Sequence, residues 1–143
     1  MAARHSLTLK RRIKGSPAQI FAAWTNPTKM TAWLGPEGAY DVTATADARV
    51  GGRYRLAFRT PDGEMNDARG VYREVVQNEK LVFTWAWQSA PEEESVVTIT
   101  LKADGPATLL TFVQEPFVDE EARDDHRGGW EGAFDKLEEI QGA

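Results

Sequence analysis

The chain has 143 residues, enough to bury one core without staples, and its lack of cysteine excludes disulfides, thiol catalysis and thiolate metal sites. A formal charge of −5 removes the electrostatic footprint of a general nucleic-acid binder, so no nucleic-acid partner is expected. No stretch approaches the roughly 20 apolar residues that span a bilayer, and MAARHSLTLKRRIKG holds no apolar run of signal-peptide type, which predicts a soluble cytoplasmic protein without membrane contact.

Residues 6–13, SLTLKRRI, place Leu7, Leu9, Arg11 and Ile13 in alternation and predict a first strand with one slip in its pattern. SPAQIFAAW follows with a strong helix start. Ser16 stands at the N-cap, Pro17 at the first helical position, and Gln19 completes a capping box. Ile20, Phe21 and Trp24 form its buried stripe. Asn26-Pro27 restarts a second short helix bearing Met30, Trp33 and Leu34, which stops at Gly35-Pro36.

From about residue 40 to 115 the signals are those of strands. AYDVTATA is followed by a Gly51-Gly52 turn, and RYRLAF sets Tyr54, Leu56 and Phe58 against Arg53, Arg55 and Ala57. Arg53, Arg55 and Arg59 therefore share one strand face, read as a solvated sheet surface. Pro61-Asp62-Gly63 turns the chain into ARGVYREVV, and QNEK turns it again into LVFTWAWQ. Glu92-Glu93-Glu94 reads as an exposed loop before SVVTITLK and ATLLTFVQ. Phe83, Trp85 and Trp87, then Val97, Ile99 and Leu101, then Leu110 and Phe112 collect on one face, while threonine recurs on the other. This is an antiparallel meander with one covered face and one largely wet one.

The cover is the C-terminal helix. Asp119 can cap it, and Glu120 and Glu121 suit the positive end of its dipole. Ala122, His126, Trp130, Ala133, Leu137 and Ile140 recur at helical spacing as one stripe. Within it, HRGGWEGAFDKLEE holds Gly128, Gly129 and Gly132, each costing ~1 kcal/mol relative to alanine. Gly129 falls at the edge of the stripe, where a missing side chain lets the sheet approach or leaves space. Gly128 and Gly132 fall towards the outer side.

The ordered set SPAQIFAAWTNPTKMTAWLGP, ARVGGRYRLAF…PDG, GVYREVVQNEKLVFTWAW, VTITLKADGPATLLTF and HRGGWEGAFDKLEE covers nearly the whole chain. In that order the chain resembles the SRPBCC (START-like, Bet v-like) superfamily, and within it the family related to the C-terminal domain of activators of the heat-shock-chaperone ATPase. The resemblance implies an α+β helix-grip fold over a single domain, residues 1–143. Its curved antiparallel sheet of six or seven strands wraps a long C-terminal helix, with two short helices after the first strand. It also implies a cavity between sheet and helix for a hydrophobic ligand, and by position Trp33, Tyr54, Phe58, Trp85, Trp87, His126, Trp130 and Phe134 are expected in or beside it.

Against this stands the plainer expectation that each aromatic simply fills the core. His126 reads first as a packed histidine, and second as a polar contact for a ligand or a general base. Asp124-Asp125-His126 does not make a metal site, because consecutive helical residues point in different directions. Gly51-Gly52 lacks the spacing and the following helix of a dinucleotide fingerprint, and neither a nucleophile elbow nor a phosphate loop is present. No cofactor is expected. Three functions stay open: a carrier of a hydrophobic or aromatic small molecule, a co-chaperone stimulating a heat-shock ATPase, and a cyclase or hydrolase of polyketide-like compounds. The protein could be a monomer or a homodimer.

Overall fold

The helix start at Ser16 forms as its residue types dictate. The Gln19 amide donates to Ser16 Oγ at 3.2 Å, and the Ser16 amide donates to Gln19 Oε1 at 2.8 Å. In the computed structural model, which describes residues 5–142, this box opens helix α1 (Pro17–Thr25). Asn26 caps helix α2 (Pro27–Trp33), its Oδ1 accepting from the Thr28 and Lys29 amides. Ser16→Ala is expected to cost about 1 kcal/mol, read as a fall of a few degrees in calorimetric Tm. An unchanged Tm would show that the cap contributes nothing.

Both helices follow strand β1 (His5–Lys14). The remaining strands are β2 (Tyr40–Ala46), β3 (Arg53–Arg59), β4 (Met65–Val76), β5 (Lys80–Trp87), β6 (Ser95–Asp104) and β7 (Ala107–Phe117). One antiparallel sheet of seven strands, in the order β1-β7-β6-β5-β4-β3-β2, curls around helix α3 (Glu120–Gly142). This is the α+β helix-grip architecture. Among the described residues no helix is long and apolar enough to cross a membrane.

Period-2 alternation locates the core. Tyr54, Leu56 and Phe58 on β3, Phe83 and Trp85 on β5, Val97, Ile99 and Leu101 on β6, and Leu110 and Phe112 on β7 are all buried. Trp130, Ala133, Phe134 and Leu137 of α3 pack against them.

Four details differ from the sequence expectation. The alternation in β1 has no slip at Arg11: the irregularity lies between His5 and Leu7. Arg11 shares the inner face with Leu9 and Ile13 because its guanidinium crosses Phe134, 5.9 Å from the ring centre, to pair with Asp135 and Glu138 of α3. A long cationic side chain thus lays its apolar stem on the core and keeps its charge at the rim. Ile140 leaves the buried stripe and is exposed at the helix end. On the sheet's other face Thr84 is buried rather than wet, whereas Thr108 is buried on the inner face opposite Ile13. Thr84 Oγ1 accepts the Val71 amide next to a β4 bulge between Tyr72 and Glu74, and the Thr108 hydroxyl donates to the Gly15 carbonyl.

Gly132 is the fourth. It is not an outward position, because a Cβ there would lie 2.9 Å from the Glu37 backbone nitrogen. Its missing side chain lets α3 lie against the loop that leaves α2. Gly128 is exposed with open space around it, and nothing in the structure requires glycine there.

Candidate functional site

Trp85 and Trp87 stand on the same face of β5, with ring centres 5.4 Å apart. Phe58 of β3 meets Trp87 edge-on at 6.2 Å. On the helix side His126 lies 5.7 Å from Trp87 and 4.9 Å from Phe117, and Trp130 lies 5.2 Å from Trp85. Between these two sets of rings is a cavity of about 480 Å³. Gly129 borders it and has nothing within 4 Å of where a Cβ would stand. Of the two possibilities at this position, the absent side chain leaves space. The cavity reaches the surface at Glu93, Val118 and Asp125, all exposed.

A buried polar chain holds the inner wall. The Trp130 indole N–H donates to Gln114 Oε1 at 2.9 Å, and Gln114 Nε2 donates to Ser95 Oγ at 2.8 Å. The Ser95 hydroxyl in turn donates to the Trp85 carbonyl at 3.4 Å. Gln114 is completely buried, so each bond it makes offsets the ~1–3 kcal/mol cost of an unpaired buried polar group. The chain fixes the rotamer of Trp130 and ties α3 to β5, β6 and β7.

His126 is oriented just as firmly. Its Nδ1 is 2.7 Å from the Ala122 carbonyl, which can only accept, so Nδ1 carries the proton. In the neutral ring Nε2 is then an acceptor. Burial pushes the His126 pKa down, partly offset by the Ala122 carbonyl and by the negative charges of Asp125 and Glu93. The imidazole is therefore neutral at pH 7. The unfolded chain binds this proton more tightly than the folded one. His126 thus contributes its full stability above its ordinary pKa and loses it as pH falls through the lowered folded value. Wild-type Tm should drop more steeply than that of His126→Gln between pH 7 and 5. Parallel profiles would contradict the assignment.

Of the eight residues expected at the site, Phe58, Trp85, Trp87, His126 and Trp130 line the cavity. Trp33, Tyr54 and Phe134 do not. Trp33 is 1% exposed, stacked on Phe134 and edge-on to Trp24, with its indole N–H donated to the Ala23 carbonyl at 2.9 Å. Phe134 is 0% exposed. These two fill the core between α1, α2 and α3. Tyr54 lies further along the sheet, beside a separate void of about 20 Å³, and its hydroxyl donates to the Thr84 carbonyl. Burial raises its pKa well above the ordinary tyrosine value.

Gln114 and Phe117 are among the site residues that escaped the sequence reading. Gln114 continues the Leu110-Phe112 alternation, so the period alone puts it inside. Phe117 carries no such signal, because the β1–β7 register shifts between Leu7↔Gln114 and His5↔Phe117 and brings it inward out of phase. Among the described residues no group of three His, Asp or Glu side chains is placed to hold a metal ion.

A family model described as activator of Hsp90 ATPase homolog 1-like protein matches residues 14–142. The chain belongs to this family. Among solved structures, a Chromobacterium violaceum protein is 27% identical, with a TM-score of 0.85 over 95% of this chain and 96% of that one. The AHSA1 protein of Silicibacter pomeroyi, 24% identical over 94% and 96% of the two chains, shares the fold with a TM-score of 0.83. A Nitrosomonas europaea protein does so at 22% identity, covering 98% and 96%, with a TM-score of 0.80. No curated protein sequence matches the chain. Members of the AHSA1-like, SRPBCC group have a fold that commonly binds small hydrophobic ligands.

Proposed function

We propose that this AHSA1-like protein binds a hydrophobic small molecule between its sheet and α3, as a cytoplasmic carrier or sequestering protein. The observation behind this reading is the 480 Å³ cavity walled by Phe58, Trp85, Trp87, Phe117 and Trp130, with Gly129 leaving its helix side open. Its volume is in the range of small-ligand sites, and aromatic walls with a few polar groups are what such sites use. His126, held through Nδ1 by the Ala122 carbonyl, leaves its Nε2 as a fixed acceptor that can orient a ligand.

Native mass spectrometry of protein purified from its own host should show a bound mass released on denaturation, and hydrophobic ligands should quench the tryptophan fluorescence. Protein that carries no adduct, with emission unmoved by any hydrophobic compound in a broad panel, would overturn the reading.

The family description supports a second reading, stimulation of a heat-shock chaperone ATPase. An ATPase assay with the host chaperone decides it: no acceleration at saturating protein removes it.

A further inference from the structure

The walls of the cavity are unequal in what they offer a polar group. Several of its side-chain donors are already committed to the protein. The Ser95 hydroxyl donates to the Trp85 carbonyl, the Thr60 hydroxyl to Asp62, the Trp130 indole to Gln114, and an Asn66 amide N–H to the Glu64 carbonyl. The Trp85 indole N–H is wholly enclosed and cannot reach a guest. Among the described residues no lysine or arginine lines the space.

Beyond the Trp87 indole N–H, which donates to no described residue, what the wall presents are acceptors. With Nδ1–H held by the Ala122 carbonyl, His126 Nε2 carries a lone pair on the cavity-lining ring. Glu93, on the turn before β6, and Asp125, on α3, add carboxylates from opposite sides. Trp85 and Trp87 add indole rings, whose faces attract cations. A carboxylate or phosphate guest would find two negative charges and a lone pair with no cation among the described lining residues to offset them, and an unpaired anion is costly to desolvate. An ammonium group would find acceptors, opposite charge and aromatic faces together, while its hydrocarbon frame filled the apolar interior.

We propose that the cavity is selective for hydrophobic amines bound as ammonium ions, the N–H groups donating to His126 Nε2 while the exposed carboxylates of Asp125 and Glu93 supply opposite charge at the mouth. This rests on the cavity being a ligand site, and it adds the charge and donor character of the guest.

Three probes sharing one bicyclic frame separate the two ideas: 2-naphthylmethylamine, 2-naphthylmethanol and 2-naphthoate, titrated at pH 7 by calorimetry and tryptophan quenching. The expected order of affinity is amine, then alcohol, then acid, with the acid at least tenfold weaker than the amine. Equal affinity for all three, or preference for the acid, overturns the amine assignment and leaves the hydrophobic site standing. Binding of none overturns both.

Two substitutions give independent readouts. Asp125→Asn, at an exposed position, should weaken the amine several-fold and leave the alcohol unchanged. His126→Phe, which keeps an aromatic ring, should weaken amine and alcohol together and leave the acid unimproved. If Asp125→Asn weakens amine and alcohol alike, or moves neither, the charge-based part of the assignment is wrong.

Discussion

Gly70→Ala should unfold at a much lower urea concentration than wild type, with a loss of about 3 kcal/mol, at the upper end of what overpacking costs. Gly70 lies in the interior of β4 and pairs with Tyr54 of β3. A Cβ at this position would stand 1.9 Å from the Thr84 carbonyl oxygen and 2.6 Å from Tyr54 Cε1. The first of these is main chain in the neighbouring strand, so no rotamer change relieves it. The second is the ring whose hydroxyl donates to that same Thr84 carbonyl. The bare backbone of Gly70 is what lets Tyr54 lie across the sheet and reach β5. Tyr54→Phe, which removes the hydroxyl and keeps the ring, should cost only about 1 kcal/mol. An unchanged urea midpoint for Gly70→Ala would mean that the strands do not approach as described.

The second large effect separates stability from binding. Gly129→Leu is expected to raise Tm, since leucine exceeds glycine in helix propensity by about 0.8 kcal/mol and the new side chain enters open space. The same side chain would occupy the cavity floor beside Trp130 and Ala133. Ligand affinity should fall at least 100-fold. Gly128→Ala is the matched control: exposed, outside the cavity lining and equally free of neighbours, it should gain stability and keep its affinity. If Gly129→Leu binds as wild type does, the ligand is elsewhere.

The sheet was legible because alternation records which face of a strand is dry, and Tyr54, Leu56, Phe58, Phe83, Trp85, Val97, Ile99, Leu110 and Phe112 all keep to it. The two short helices were legible because capping is local chemistry within three or four residues. How far along the sheet each inward ring sits was not legible. Tyr54 and Phe58 share one face of one strand, yet only Phe58 reaches the cavity, since the division depends on where the sheet curls away from α3. Trp33 and Phe134 failed for a related reason: periodicity marks a side chain as buried without saying whether neighbours fill the space around it. Gly132 depends on Glu37, a contact between distant parts of the chain that no helical pattern within α3 encodes. Arg11 looked like an error in a strand because its explanation, Asp135 and Glu138, also lies at the far end of the sequence.

The strand order has a consequence for how the chain is made. From β2 to β7 every strand is bonded to the next one in sequence, so each hairpin can close over a short loop at low entropic cost. β1 is the exception, since its neighbour is β7 and residues 15–106, most of the polypeptide, lie between them. During synthesis Leu7, Leu9 and Ile13 must therefore wait unburied until β7 has emerged, so the strand made before the other six is among the last to find its place.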